Sequence, residues 1–412
     1  MVAITINTAG GGTEPVTGRR WGYVGLGVVM FLFFGLLYAW SVFVPPLERE
    51  FGWTRAETSI TFSMCMAFFC IGSLAAGVLS RKKPPRVAMI ISALCMGLGF
   101  FLTARIDSLP GLYLCYGGLV GFGVGIGYCT LISTLVRWFP DRAGLVSGIL
   151  LMGFGCGALV LGSLCGWLEA QVGWRSIFTG LSVIYAALFL GTSFLIAPPP
   201  ASLRFPAAKP MRQSAVEQGL VLTTREMLSR PSFYIYFFWT SCMAATGFIL
   251  VGHAVPMVSA YGIAPALAAV MAGVVSLSNG LGRVVGGIGF DTLGRKTVMR
   301  VSSGGCIFGG LLIFAALNTG SVPLFIGSFI FAGLCLGFSV VSAPVVIRSF
   351  YGMEHYTQNY SIMSLCGVVG SIAGPLVAGL LHTAMDSYAA VPFCMLGFGG
   401  VALLAAFALK KP

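Results

Sequence analysis

One arginine lies inside a long apolar segment of the sequence. Arg283 is the only charged residue between Arg230 and Asp291. Placing an arginine at the middle of a membrane costs at least about 2.5–3.5 kcal/mol, and the apolar segments contain no acid that could compensate it. A guanidinium presents planar donors that match a carboxylate. We therefore interpret Arg283 as a fixed cation that binds an anion in a wet cavity. The structural alternative is a side chain that extends toward the lipid headgroups.

Two other polar residues in the same stretch are candidates for function. Asn279 precedes Arg283 by four residues, which places both on one face of a helix. Its amide can hydrogen-bond the anion or the guanidinium, or it can bond a neighbouring helix. Arginine does not release its proton at accessible pH, whereas histidine titrates near neutrality. His253 is therefore the candidate proton carrier, and the alternative is a histidine bonded to a neighbouring helix.

The elements that position these residues are predicted to be membrane helices. The 412 residues include 24 Lys and Arg but only 12 Asp and Glu, so 9% are charged, and 57% are hydrophobic. A soluble domain has about 25% charged residues. This composition excludes soluble, disordered and fibrous classes. The net charge of +12 lies in short connectors, so nucleic acid is not an expected partner. The 12 cysteines lie in apolar segments without a CxxC pair, which predicts neither a disulfide framework nor a metal site.

Uncharged stretches long enough to cross a bilayer predict twelve helices. Six precede a polar connector and six follow it. With the N-terminus inside, 19 of the 24 Lys and Arg fall on the inner side and four on the outer side. Cytoplasmic loops carry such an excess of Lys and Arg. The fold class is thus an all-α membrane protein with both termini in the cytoplasm.

The chain divides into two similar halves. We predict a cytoplasmic tail at 1–20 and an N-terminal six-helix bundle at 21–197. A cytoplasmic linker at 198–230 leads to a C-terminal six-helix bundle at 231–409 and a short cytoplasmic C-terminus at 410–412. Segments about 210 residues apart resemble each other, as Arg137-Trp138-Phe139 resembles Arg348-Ser349-Phe350. Parallel six-helix halves of this kind are typical of secondary transporters.

Several motifs resemble those of a known family. GFDTLGRK (289–296) and WFPDRAGLVSG (138–148) resemble inner-loop motifs of the major facilitator superfamily. Three further segments resemble the monocarboxylate transporter and oxalate/formate antiporter branch of this superfamily: YAWSVFVPPLEREFGWTRAETS (38–59), GWRSIFTG (173–180) and HYTQNYS (355–361). The resemblance extends from about residue 20 to 410. It implies two pseudo-symmetric six-helix bundles that expose a central site to each side of the membrane in turn.

The resemblance also implies roles for particular residues. In this superfamily the cavity is lined mainly by helices 1, 4, 7 and 10, so Tyr38, Tyr116 and Tyr128 are candidates to offer hydroxyls to the substrate. Each can instead anchor a helix at the membrane interface.

The loop motif supplies Asp291, Gly294 and Arg295 as candidates for gating or for stability. Asp291 is expected at a helix end, where the N-terminus of a neighbouring helix can hydrogen-bond it. The first copy of the motif, GVLSRKKPPR (77–86), lacks the acid.

These observations predict a proton-coupled transporter of a small monocarboxylate such as lactate or pyruvate. One fixed cation compensates one carboxylate. Helix 1 lacks the lysine that animal members of the branch carry, and helix 11 lacks the lysine of oxalate/formate antiporters. Exchange of carboxylate anions is the alternative, and a receptor that keeps the helices without flux is another.

No enzyme activity, cofactor or metal is expected. The sequence contains no GxxxxGK[ST] loop, so ATP is not an expected partner; the expected partners are an organic anion, a proton and the lipid bilayer. The compact loops favour a prokaryotic inner membrane.

Overall fold

The computed structural model describes residues 14–200, 221–259, 265–385 and 388–411. Eleven helical stretches in these ranges are long and apolar enough to cross a membrane. The helix Pro265–Thr292, which carries Arg283, follows the seventh of them and completes the set of twelve. The predicted twelve-helix fold is therefore confirmed.

We number the twelve membrane helices in chain order. The first six are α1 Glu14–Gly35, α2 Arg55–Leu79, α3 Pro85–Thr103, α4 Leu109–Trp138, α5 Ala143–Glu169 and α6 Gln171–Ser193. The second six are α7 Pro231–Ser259, α8 Pro265–Thr292, α9 Arg295–Thr319, α10 Val322–Tyr351, α11 Tyr356–Met363 with Leu365–Met385, and α12 Val391–Ala408.

Three of the helices in the first half depart from regular α geometry. α1 continues through the 3-10 turn Leu36–Ala39 into the helix Trp40–Phe51. α4 and α5 contain the π-helical segments Tyr113–Val120 and Ala158–Gly162. A π segment adds residues to a turn and so rotates the faces that follow it.

Short sequence signals explain where the helices begin and end. Thr54 caps α2, because its hydroxyl accepts the N–H of Glu57 while the Glu57 carboxylate accepts the N–H of Thr54. Gly173, near the start of α6, has φ 74°, and Gly294, between α8 and α9, has φ 77°. This left-handed backbone favours glycine, so both residues mark a change of direction between helices.

The helices pack in two groups, which meet mainly along two helix pairs. α1–α6 pack against one another, as do α7–α12, and the groups join where α5 packs against α8 and where α11 packs against α2. At α5–α8 the backbones are in contact: a Cβ on Gly144 would lie 2.3 Å from the carbonyl oxygen of Gly287, and one on Gly148 would lie 2.3 Å from that of Arg283. Small residues thus let the two backbones approach closely at this interface.

The outer end of the first half is held by a polar cluster. Glu50, at the end of the helix Trp40–Phe51, accepts the indole N–H of Trp174 at 2.7 Å and pairs with the guanidinium of Arg175. Desolvation by burial raises the pKa of Glu50, but these two hydrogen bonds outweigh it and lower the pKa below its ordinary value. The cluster joins the extension of α1 to the start of α6.

The predicted linker at 198–230 lies partly outside the described residues, and the domain boundaries remain a prediction. Its last part packs on the second half, where the N–H of Leu222 donates to the carbonyl of Tyr351 at 3.2 Å. Thr224 donates to the amide oxygen of Asn359 in α11 at 2.9 Å. The end of the linker is thus fixed to the inner ends of α10 and α11.

Candidate functional site between the bundles

Arg283 points into the protein. Leu277, Leu281, Val285 and Ile288 form an apolar stripe on α8 and are 44–61% exposed, whereas Arg283 is 7% exposed. At about 100° per residue, Arg283 lies about 160° around the helix from both Leu281 and Val285. The stripe is the face of α8 suited to lipid, and the guanidinium lies on the opposite face.

The guanidinium contacts the other bundle. Nε donates to the Asn279 amide oxygen at 3.3 Å, one turn earlier on α8, and Nη1 donates to the backbone carbonyl of Leu151 on α5. Gly155 makes this approach possible, since a Cβ there would lie 3.1 Å from Nη1. Arg283 therefore bridges the two bundles.

Neither oxygen that accepts from Arg283 carries a charge. None of the ion pairs formed within the described ranges includes this residue. A buried cation satisfied only by neutral oxygens keeps its electrostatic attraction for an anion. The site can bind one carboxylate, because a guanidinium forms stronger hydrogen bonds with an ionised acceptor than with a carbonyl.

Aromatic rings surround the space next to the guanidinium. Tyr128 of α4 lies between Phe31, Phe69 and Phe154, with ring centroids 5.2, 5.3 and 5.2 Å away. Tyr38, in the 3-10 turn that follows α1, packs edge-on against Phe154 at 5.2 Å and is 42% exposed. Its hydroxyphenyl ring therefore borders space that a small molecule can enter.

Three tyrosines, from the turn after α1, from α4 and from α11, lie near Arg283: Tyr38, Tyr128 and Tyr360. The hydroxyls of Tyr128 and Tyr360 are 3.4 Å apart, and this hydrogen bond joins α4 to α11. Tyr360 was not among the predicted site residues. The signal for it was the motif HYTQNYS (355–361), which pointed to the family but not to the site.

The structure does not bring every predicted residue to this site. Tyr116 is 1% exposed and packs inside the first bundle, with its ring centroid 4.4 Å from that of Trp40 and 6.0 Å from that of Phe178. Its hydroxyl is therefore part of the bundle core and does not face Arg283. His253 belongs to α7, but its side chain lies outside the described residues. No group of His, Cys, Asp and Glu side chains that could hold a metal ion occurs among the residues described.

The loop-motif residues lie at the inner end of the α5–α8 interface. The Asp291 carboxylate accepts the backbone N–H groups of Gly144 at 2.9 Å and Leu145 at 2.8 Å, in the first turn of α5. This is the helix-terminus contact that the sequence predicts for Asp291. The Arg295 guanidinium lies over the ring of Phe350 at 4.1 Å, which connects α9 to α10. The motif thus joins α8 to α5 of the other bundle, and it joins α9 to α10 within the same bundle.

This fold and these motifs agree with a family match. The model of the Major Facilitator Superfamily matches residues 25–321 and 254–412. The chain belongs to the major facilitator superfamily. It is therefore a multi-pass membrane protein of a transporter family, as the sequence predicts.

Relatives of this superfamily member agree with the predicted branch. It is 27% identical over 377 residues to the oxalate:formate antiporter of Oxalobacter formigenes, covering 89% of this chain and 86% of that one. It is 25% identical over 370 residues to human monocarboxylate transporter 11, covering 87% and 76%. The structure of the proton:xylose symporter XylE shares its fold, with a TM-score of 0.70 at 14% identity and 95% of each chain covered.

Proposed function

We propose that this superfamily member transports a small monocarboxylate of the lactate or pyruvate kind, together with a proton, by alternating access in a prokaryotic inner membrane. The observation that carries the proposal is the Arg283 guanidinium. It is buried between the bundles, bridges α8 and α5, and has only the neutral oxygens of Leu151 and Asn279 as described hydrogen-bond acceptors.

The charge of the site favours a monoanion. One guanidinium compensates one carboxylate, whereas a dicarboxylate would retain one uncompensated charge in a mostly apolar surrounding. Two of the relatives are named for oxalate and formate, and for monocarboxylates. Both names support an organic anion as the substrate.

The neighbouring side chains supply the remaining contacts in this proposal. The substrate carboxylate replaces the Leu151 carbonyl as the acceptor of Arg283, and the amide of Asn279 holds the guanidinium plane. The hydroxyls of Tyr38 and Tyr128 donate to the second carboxylate oxygen or to a substrate hydroxyl. The phenyl ring of Phe154 contacts the apolar part of the substrate.

Exchange of anions is the second candidate, and one contact favours it. The hydrogen bond from Arg283 to Leu151 joins the two bundles when the site holds no anion. An empty carrier must break this bond to change conformation, whereas a carboxylate replaces it. This difference predicts faster conformational change of the loaded carrier, as in an exchanger.

The Arg283→Gln variant tests the proposal most directly. Uptake of labelled lactate and pyruvate is measured in proteoliposomes under an inward proton gradient. Loss of one partner of a buried charged interaction costs about 2–5 kcal/mol, so we expect uptake to fall by at least about 30-fold. Arg283→Lys retains the charge and is expected to keep part of the activity. Tyr116→Phe serves as a control, because Tyr116 lies in the bundle core. Unchanged uptake in Arg283→Gln contradicts the proposal.

Symport and exchange are separated by two further measurements on the same proteoliposomes. Symport predicts that uptake responds to a proton gradient and that His253→Ala abolishes this response. Exchange predicts labelled counterflow into vesicles preloaded with unlabelled lactate without any proton gradient, at a rate well above net efflux. A proton-driven uptake that survives His253→Ala assigns the proton to another group.

A further inference from the structure

Two arginines at corresponding positions of the two halves contact each other's bundle. Arg137, at the inner end of α4, donates from Nη2 to the Met353 carbonyl at 3.3 Å, just beyond α10. Arg348, at the inner end of α10, donates to the carbonyls of Pro140 at 2.9 Å and Phe139 at 3.5 Å, just beyond α4. The contacts are therefore reciprocal, as the internal repeat leads one to expect.

The described hydrogen bonds of both guanidiniums go to uncharged oxygens. None of the ion pairs in the described part of the chain includes Arg137 or Arg348, and the Nε of Arg137 is buried without an acceptor. Asp141 and Asp291 interact electrostatically with Arg348, but their oxygens are already engaged. Asp141 pairs with Arg20, and Asp291 accepts the N–H groups that begin α5.

A column of tyrosines connects these arginines to the central site. Tyr356 lies near both Arg348 and Arg137, and its hydroxyl donates to the Pro344 carbonyl at 3.2 Å. Its ring stacks on that of Tyr360, with centroids 5.9 Å apart and planes 7° apart. The hydroxyl of Tyr360 in turn contacts that of Tyr128, beside Arg283. These tyrosines thus lie between the central site and the two arginines.

Opening of the inner end must release both guanidiniums. Each hydrogen bond that holds them has its donor on one bundle and its acceptor on the other, so separation of the bundles breaks all three. The two cations then face the widened inner opening without acceptors. A carboxylate is the ligand that best compensates paired guanidiniums.

We propose that Arg137 and Arg348 form a second carboxylate site at the inner opening, which exists only when that end of the protein is open. The site receives the substrate after it leaves Arg283 and supplies it when transport runs in the opposite direction. This inference depends on the proposed function, because the ligand is the same transported monocarboxylate. In the closed state the same residues bind carbonyls of the opposite bundle.

The test measures the KM for labelled lactate separately at each face of oriented vesicles. In Arg137→Gln and Arg348→Gln we expect the KM at the Lys/Arg-rich inner face to rise roughly tenfold, the loss expected for one charge-assisted hydrogen bond, with little change at the outer face. Arg137→Lys and Arg348→Lys retain the charge and are expected to restore most of the affinity. Arg86→Gln is the matched control, because Arg86 is an exposed inner arginine that lies over the ring of Phe194, away from the bundle interface.

A purely structural role of the two arginines predicts the opposite change in the inner KM. If the arginines only stabilise the closed inner end, their loss favours the inward-open state, so the inner KM falls and the outer KM rises. That result, or a failure of lysine to restore affinity in a folded protein, overturns the inference. If the glutamine variants transport lactate with an unchanged inner KM, this inference is wrong and the proposed function stands. Absence of flux in the wild type overturns the proposed function as well.

Discussion

The two interfaces between the bundles are related by the internal repeat but differ in chemistry. At α5–α8, the Asp291 carboxylate accepts two N–H groups at the start of α5, and glycine backbones lie in contact. At α2–α11, Gly77 packs against Ser361 and Gln358, and the amide oxygen of Gln358 is buried without a donor. The repeat thus preserves close packing at both interfaces, whereas among the described residues only α5–α8 has hydrogen bonds to a carboxylate.

This difference indicates which interface controls opening of the inner end. A carboxylate that accepts two backbone N–H groups adds stabilisation that packing alone does not supply. The residue 210 positions before Asp291 is Arg81, which is exposed. We therefore expect the α2–α11 interface to separate at a lower cost than α5–α8, and three predictions test this comparison.

Adding a methyl group is expected to disturb α5–α8 most. In Gly148→Ala the new Cβ would lie 2.3 Å from the Arg283 carbonyl and 3.0 Å from the Val284 Cα, so the backbones must move apart. We expect a loss of stability of about 1–3 kcal/mol, measured as a lower melting temperature in detergent. In the matched variant Gly77→Ala the new Cβ would lie 2.4 Å from the Ser361 hydroxyl, which can rotate, and 2.9 Å from one backbone atom, the Gln358 Cα. We expect a smaller loss there, because Gly148→Ala meets three backbone atoms. An equal or larger loss in Gly77→Ala contradicts the comparison.

Removing the charge of Asp291 is expected to open the inner end. Asp291→Asn keeps the shape but weakens both contacts with the start of α5, by about 1–3 kcal/mol. Cys129 reports the opening, because its buried thiol donates to the Thr357 carbonyl across the bundles. Maleimide labelling of Cys129, followed by mass spectrometry, is expected to accelerate roughly tenfold.

The control for this measurement is Asp107→Asn, which removes an exposed acid from the opposite end of the protein. It is expected to leave Cys129 labelling unchanged. If both variants accelerate labelling equally, Asp291 has no particular role in holding the inner end closed.

Restoring the missing acid is expected to give the smallest effect. Arg81→Asp places a carboxylate in the first copy of the motif, near the start of α11, where an anion stabilises a helix N-terminus by about 0.3–1 kcal/mol. Cys129 labelling is then expected to slow by up to about fivefold. Arg81→Asn separates the gain of an acid from the loss of a cation. If Cys129 labelling slows equally in both variants, the new carboxylate is not the cause of the slowing.

Much of the fold and the central cation of the site could be predicted from the sequence. Helix number and orientation follow from where charges are permitted, and an arginine in an apolar run is visible without a structure. The acceptor at Leu151 could not be predicted, because it is a backbone atom on another helix. Tyr116 and Tyr128 both lie in α4, twelve residues apart, which is about 120° around a regular helix. The sequence does not show the π segment Tyr113–Val120, which changes this angle.

The glycine beside Arg283 has a consequence for how this site can change. Since the guanidinium rests on the main chain of α5, no side-chain deletion can remove its acceptor at Leu151. The acceptor can only be covered, and Gly155 is the position from which a new side chain would cover it, with a Cβ 3.1 Å from Nη1. Substitutions that enlarge residue 155 therefore alter how the cation is presented without touching any ionisable group, so homologous carriers can differ in ligand preference while all their charged residues stay the same.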